Sequence, residues 1–171
     1  MKQKKNKKSL NNKNEPITIS LKGFGILLYN HVEPGLDIIS NFDISKLKVG
    51  FNIDFAYNLD NNGFQLILSI LYSYNLNDKD IVLLELKLLS EFLISDMKSV
   101  IKIVGGNLKI PDDLLVKFTS IAYSTARGIV FSKTLGSFLN QFTLPLIDPK
   151  EIVQNKLKSM SANKEKITEN I

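Results

Sequence analysis

The sequence predicts an α+β fold, a four-stranded antiparallel sheet with one long and one short C-terminal helix packed on one face. Three observations predict this fold. Residues 48–59 alternate apolar and polar side chains with a period of two, and a hairpin-type turn, Asp-Asn-Asn-Gly, follows at 60–63. A run with helical spacing begins at Pro111-Asp112-Asp113. The 171 residues suit a single domain, and 44% of them are hydrophobic.

The first strand is predicted over residues 17–30, which are rich in β-branched and aliphatic side chains. Gly23 and Gly25 indicate a bend or bulge within it. Residues 31–45 contain the turn signal Pro34-Gly35 but also several apolar side chains. This stretch is therefore predicted to be a crossing loop that lies against the body of the protein.

Three long strands are predicted to form a meander after the crossing loop. The second strand, 48–59, has one buried and one polar face, the third runs over 64–75, and the fourth runs from 81 to about 94. In the fourth strand the predicted buried face holds Val82, Leu84, Leu86, Leu88 and Phe92. The other face of the meander mixes apolar and polar side chains, which predicts sheet-on-sheet association between subunits.

Two helices are predicted after the sheet. The long helix follows Pro111, and its apolar stripe is Leu114, Phe118, Ile121, Thr125 and Ile129, with Ala122 and Ala126 beside them. Gly128 predicts a close approach of this helix to the sheet, and Gly136 predicts a kink or pause. The second helix begins at Asp148-Pro149, with Ile152, Val153 and Leu157 as its apolar stripe.

The positive charge is concentrated at the N-terminus. Residues 1–14 hold six of the 22 basic residues and no acid, leaving 16 basic against 17 acidic residues. We interpret residues 1–15 as a disordered basic arm, 16–158 as the domain and 159–171 as a polar tail.

No apolar region of a signal peptide follows the lysines and no stretch is apolar enough to span a bilayer, so a cytoplasmic location is expected. The arm fits weak contact with nucleic acid or an anionic surface, or a solubilising tail.

The composition argues against an enzyme. Cysteine is absent and His31 is the only histidine, so thiol chemistry and multi-histidine metal sites are excluded. His31, Glu33 and Asp37 could be read as a ligand cluster, but residues that flank a turn are commonly solvated loop residues. Asp112-Asp113 resembles a catalytic carboxylate pair, but the favourable interaction of acids with the helix dipole explains it. Arg127, the only arginine, is predicted to anchor structure. We expect no catalytic residue, metal or cofactor.

Local sequence resembles the bacterial export chaperone family SecB. Tyr123 and Ala126-Arg127 resemble the Tyr-Ala-Arg segment of that family, and Gly136 followed by 144–148, Leu-Pro-Leu-Ile-Asp, resembles its glycine and its proline-containing link. The layout is similar over 17–157. The resemblance implies a homotetramer, a dimer of dimers, that holds unfolded polypeptides in apolar grooves and passes precursors to the SecA motor. Some members serve toxin–antitoxin systems instead.

Candidate binding residues are apolar side chains that the sheet face does not explain, together with the last helix by analogy with the family. They are Phe24, Tyr29, Leu36, Ile38, Ile39, Phe42, Ile152 and Leu157. The alternative interpretation packs them in the protomer core or the dimer seam. The analogy also suggests a partner-docking face at Asp54, Glu85 and Glu91. SecB itself is strongly acidic, so the near-neutral body argues against SecA more than against polypeptide holding.

Overall fold

The computed structural model describes residues 17–104 and 107–168. The predicted basic arm, 1–15, lies wholly outside this part, as do the last three residues of the predicted tail. In chain order the elements are β1 (Ile19–His31), α1 (Leu36–Ser40), β2 (Leu47–Asn58), β3 (Gly63–Leu76), β4 (Lys79–Ile94), α2 (Met97–Val100), β5 (Lys102–Val104), β6 (Asn107–Lys109), α3 (Asp112–Lys133) and α4 (Pro149–Thr168).

The four long strands form one antiparallel sheet in the order β1-β4-β3-β2, which confirms the predicted fold class. β2, β3 and β4 are the predicted meander, while β1 pairs with β4 at the far edge. Asn62 turns β2 into β3 with φ 55°, and Asn77 and Asp78 turn β3 into β4 with φ 51° and 61°. Asn and Asp tolerate this left-handed conformation better than other non-glycine residues, which is why these turns form here.

β1 contains two irregularities in its pairing with β4. Leu21 pairs with Phe92 and Gly23 with Glu91, so Lys22 is an extra residue beside the predicted bulge at Gly23. The second extra residue is Leu27 rather than Gly25. Each extra residue reverses the alternation of side chains along β1. Phe24 therefore lies on the same side of the sheet as Leu21, the side that carries the helices, although strict alternation from Leu21 would place it on the other side.

The sequence-based prediction of the buried face of β4 is wrong at its start. Tyr72 pairs with Leu84 but Ser73 pairs with Val82, so Leu83 is the extra residue of a bulge. Leu83 and Leu84 are both buried, whereas Val82 is 41% exposed. From Leu84 onward the predicted alternation holds.

α3 packs over β3 and β4, and its buried stripe differs from the predicted one. Phe118 stacks on Phe64 and Phe92 with ring centroids 4.7 and 4.2 Å apart. Ala122 and Ala126 are fully buried and bring the helix close to the sheet, while Ile121 is exposed. A side chain at Gly128 would meet no atom within 4 Å, so the close approach predicted there is wrong.

The two main helices are joined by residues 134–148, which include a short 3₁₀ helix, Phe138–Gln141. α3 ends at Lys133, and Gly136 follows in the left-handed region with φ 80°, as its predicted pause requires. The Asp148 carboxylate accepts a 2.9 Å hydrogen bond from the Lys150 N–H, which confirms the predicted cap of α4. α4 packs against α3 and β2 and continues beyond Ser159, where the polar tail was predicted to begin.

Candidate functional site

Residues 32–46, the crossover segment, connect β1 to β2 past the ends of β4 and β3. The Val32 N–H donates to the Leu83 carbonyl at 2.9 Å, and Pro34 is buried. The Glu33 carboxylate accepts a 2.6 Å hydrogen bond from the Phe138 N–H and lies 3.4 Å from His31 Nε2. Glu33 therefore joins the crossover segment to the link between α3 and α4, a role that the sequence did not reveal.

An aromatic cluster anchors the other end of the crossover segment. The Phe42 ring lies 4.8 Å from Tyr74, 4.9 Å from Phe138 and 4.8 Å from Phe142, measured between centroids. The Asp43 N–H donates to the Tyr74 hydroxyl at 3.2 Å. Phe42 is half-buried, so part of its ring is accessible while most of it stabilises the segment.

Two tyrosines hold the link between the helices in place. The Tyr72 hydroxyl donates to the Phe142 carbonyl at 3.1 Å, and the Tyr123 hydroxyl donates to the Pro145 carbonyl at 2.6 Å. Burial raises the pKa of both hydroxyls, so each remains a neutral donor at physiological pH. These bonds set where Phe142 and the exposed Leu146 lie relative to α3.

The eight predicted binding residues lie along a path rather than in one pocket. Phe24 and Leu36 are exposed, at 55% and 81%. Five are half-buried: Tyr29, Ile38, Ile39, Phe42 and Leu157. Ile152 is 8% exposed and belongs to the core. β1 and β2 are opposite edges of the sheet, so Phe24 is separated from α4 by the width of the sheet, and the crossover segment connects the two regions.

A groove of about 450 Å³ lies between β2 and α4. Phe51 and Asn52 of β2 line one side, and Ile152 and Lys156 of α4 line the other. Ile152 thus contributes a small surface to this groove, while most of its side chain fills the core. Six of its nine lining residues are polar or charged, so polar side chains outnumber apolar ones along the groove.

Each acid of the predicted docking face has a lysine nearby. Asp54 lies 2.6 Å from Lys156, Glu85 lies 3.4 Å from Lys87, and Glu91 lies 3.9 Å from Lys22. Such surface pairs stabilise the fold little, but they neutralise the local charge. The face therefore presents no uncompensated acidic patch at these three positions.

Several exposed apolar residues were not among the predicted site residues. They include Leu21, Ile26 and Leu27 on β1, Phe131 and Leu135 at the end of α3, and Leu146 in the link. The unbroken apolar run at 26–28 was the available signal on β1, because an alternating surface strand would interrupt it. Nothing local distinguishes Leu146 from a buried leucine.

The described residues hold no group of three or more His, Asp or Glu side chains that could bind a metal ion. None of the helices within 17–104 and 107–168 is long and apolar enough to cross a membrane.

Comparison with known proteins gives structural similarity only. No family model matches the sequence, and no curated protein matches it. The Mycobacterium tuberculosis SecB-like chaperone Rv1957, solved in complex with a ChAD peptide from the antitoxin HigA1, is 13% identical with a TM-score of 0.49; the match covers 75% of this chain and 90% of that one. A Streptococcus agalactiae protein of unknown function is 9% identical with a TM-score of 0.44, covering 78% and 99%. Identities and scores this low carry no functional inference.

Proposed function

We propose that this protein is an ATP-independent chaperone, a holdase that binds unfolded polypeptides on apolar surfaces of a tetramer. The observation that supports it most directly is the set of large apolar side chains exposed along β1 and the crossover segment, above all Phe24 and Leu36. Burying such side chains in a partner gains about 25 cal/mol per Å² of apolar surface, which is the driving force that a holdase needs. The motifs that resemble SecB support the same proposal.

Backbone pairing is the second way in which an extended polypeptide would bind. Among the described residues β1 pairs only with β4, so alternate N–H and C=O groups on its outer edge have no strand partner. An extended chain can add to such an edge as a further strand. Contacts of this kind do not depend on the sequence of the client, which suits a protein that holds many unfolded chains.

The proposed activity contains no chemical step, and we assign no catalytic residue and no cofactor. We propose polypeptide precursors for export as clients, a cytoplasmic location and a dimer-of-dimers assembly. The paired lysines at Asp54, Glu85 and Glu91 reduce the electrostatic attraction that a basic docking partner such as SecA would need.

The alternative is an interaction module of the same fold, serving a toxin–antitoxin system or contacting nucleic acid or an acidic partner through the basic arm. The six lysines at 1–14 favour it, since they hold the excess positive charge. Deleting residues 1–14 separates the two functions. A holdase keeps its suppression of aggregation, whereas an arm-dependent module loses its salt-dependent affinity.

The central experiment measures aggregation of a chemically unfolded client by light scattering. We expect the double variant Phe24→Asp with Leu36→Asp to lose most of the suppression, because both substitutions place a charge on the proposed binding path. The matched control is Tyr57→Asp, an exposed aromatic position near the end of β2, the edge strand opposite β1, and far from that path. Circular dichroism establishes that each variant is folded. Solution mass separates lost client binding from lost assembly, because Phe24 lies among the exposed apolar residues of β1.

Full suppression by a folded double variant would contradict the proposed path. The assembly is tested separately by solution mass, for which we expect a species of about four times 19.3 kDa. A stable monomer at micromolar concentration would contradict the tetramer.

A further inference from the structure

The only arginine of the chain has no acidic partner among the described side chains. Arg127 is half-buried on α3, and its guanidinium forms no hydrogen bond or ion pair with a described side chain or backbone group. Its positive charge acts on the Tyr123 hydroxyl one turn earlier, where burial raises the pKa and the charge opposes that larger effect. A guanidinium carries five donors in a planar fork, and here they are left available to a ligand.

Arg127 borders a cavity of about 240 Å³ between the second half of α3 and the link. Phe131, Phe142 and Leu144 provide its apolar lining, and no acidic side chain lines it. The cavity is smaller than the roughly 300–1,000 Å³ of ordinary small-molecule sites, so it suits a group of about one amino-acid side chain. Its single charge is positive.

The rim of this cavity is held by hydrogen bonds. The Asn140 amide nitrogen donates to the Phe131 carbonyl at 3.1 Å and to the Thr134 hydroxyl at 3.2 Å, which fixes the 3₁₀ helix against α3. Both donors of that amide are therefore used, and its oxygen is left as an acceptor at the rim. The cavity thus combines one cationic fork, one amide oxygen and an apolar pocket.

We propose that this cavity binds the C-terminal residue of a polypeptide, a large apolar residue with a free α-carboxylate. The carboxylate pairs with the Arg127 fork, the side chain fills the space beside Phe131 and Phe142, and the backbone N–H of the terminal residue donates to the Asn140 amide oxygen. An α-carboxylate and a side chain share one Cα, which matches a charge placed directly beside a small apolar cavity. Bidentate pairing with arginine is the strongest recognition of a carboxylate that a side chain offers.

The proposal rests on the proposed function in one respect, that the ligand is a polypeptide. It adds a site on the side of α3 near the link, separate from the exposed path of β1 and the crossover segment. A client would bind there by its chain end, independently of its internal apolar segments.

The test uses fluorescence anisotropy with the full-length protein and a short Gly/Ser peptide that ends in leucine and carries an N-terminal fluorophore. The free acid is compared with the same peptide as its C-terminal amide. We expect the acid to bind about tenfold more tightly, because only the acid forms a hydrogen-bonded charge pair with Arg127. Tenfold corresponds to about 1.4 kcal/mol. Equal binding of acid and amide by the unaltered protein would overturn the proposal without any variant.

Variants test whether the preference for the free acid over the amide arises at this cavity. Arg127→Gln should abolish it, Arg127→Lys should retain a small part of it because the charge remains but the fork is lost, and Phe131→Ser should weaken both peptides. Lys117→Gln removes one positive charge from the same helix far from the cavity and should leave the preference intact. An unchanged preference in Arg127→Gln, or an equal loss in Lys117→Gln, would overturn the proposal.

Suppression of aggregation separates this inference from the proposed function. If the protein suppresses aggregation but binds acid and amide equally, the carboxylate site is wrong and the holdase stands. If it prefers the acid but does not suppress aggregation, the holdase is wrong and the site stands.

Discussion

Single residues decide how the crossover segment is attached to the body of the protein. Glu33 is the clearest case, because one carboxylate oxygen accepts from the Phe138 N–H and the other lies near His31 Nε2. Phe42 supplies the second attachment through three ring contacts. Between these two points lies α1, which contains the most exposed predicted binding residue, Leu36.

Glu33→Ala is expected to loosen the crossover segment. The variant removes a charge-assisted hydrogen bond at a half-exposed position, so we expect a loss of about 1 kcal/mol in the free energy of unfolding. Hydrogen exchange should accelerate at 36–46. Asp37→Ala is the control, because its carboxylate bonds no described residue outside the segment. Equal exchange rates in the two variants would show that Glu33 does not hold the segment.

Phe118→Ala is expected to be among the most destabilising substitutions of the protein. The ring is fully buried and stacks on Phe64 and Phe92, so its removal leaves a cavity between α3 and the sheet. The expected loss is about 3–5 kcal/mol in urea unfolding. Phe131→Ala, on the exposed side of the same helix, should cost less than about 1 kcal/mol. Similar losses in both variants would contradict the described packing of α3.

At the scale of elements, the β3–β4 hairpin combines a tight turn with a polar network. The Asp80 carboxylate accepts from the Asn75 amide at 2.8 Å and from Lys48 of β2 at 3.3 Å. These two hydrogen bonds hold the pKa of Asp80 below its usual value. Three strands are therefore connected through one exposed carboxylate.

This network predicts an acid-dependent loss of stability. The pKa of Asp80 is lower in the folded state, so its contribution is present above the unfolded pKa of roughly 3.9 and is lost as the pH falls through the folded pKa. Asp80→Asn should destabilise the protein near neutral pH and make stability less dependent on pH below about pH 4. Asp78→Asn, in the same turn, is the control. Identical pH profiles of urea unfolding for Asp80→Asn and the unaltered protein would contradict the prediction.

How much of each element could be predicted depended on whether its signal was local. The period-two pattern and the Asn-Gly turn fixed β2 and its hairpin, since strand alternation and turn conformation are properties of a few neighbouring residues. The bulge at Leu83 was missed because it arises from the pairing of β4 with β3. The stripe of α3 was rotated for a similar reason, because Ala122 and Ala126 face the sheet and small residues carry little hydrophobic signal.

At the scale of the whole molecule, the protomer leaves an apolar strip along β1. Leu21, Phe24 and Ile26 pair with residues of the helix-facing side of β4, yet α3 packs over β3 and β4 rather than over β1. A sister subunit or a client would cover this strip. We propose that subunits associate through part of this strip, in which case the tetramer and the binding path share it.

Assembly through this strip predicts that the melting temperature rises with protein concentration, since association stabilises the folded state by mass action. Ile26→Asp should reduce both the concentration dependence and the solution mass, because it places a charge in the strip. Tyr57→Asp, on the opposite edge strand β2, should change neither. A melting temperature of the unaltered protein that does not depend on concentration over a hundredfold range would contradict assembly through β1.

The sequence by itself determined the four long strands, the turns between β2, β3 and β4, the helix cap at Asp148 and the fold class, because these follow from side-chain periodicity and local backbone preferences. Only the tertiary structure decided that β1 lies beside β4, that Ile152 enters the core while Leu36 remains exposed, and that Arg127 borders a cavity that no described acidic side chain lines. The burial of a side chain and the pairing of a strand depend on residues far apart in the chain. A local sequence pattern does not determine which distant residues come into contact.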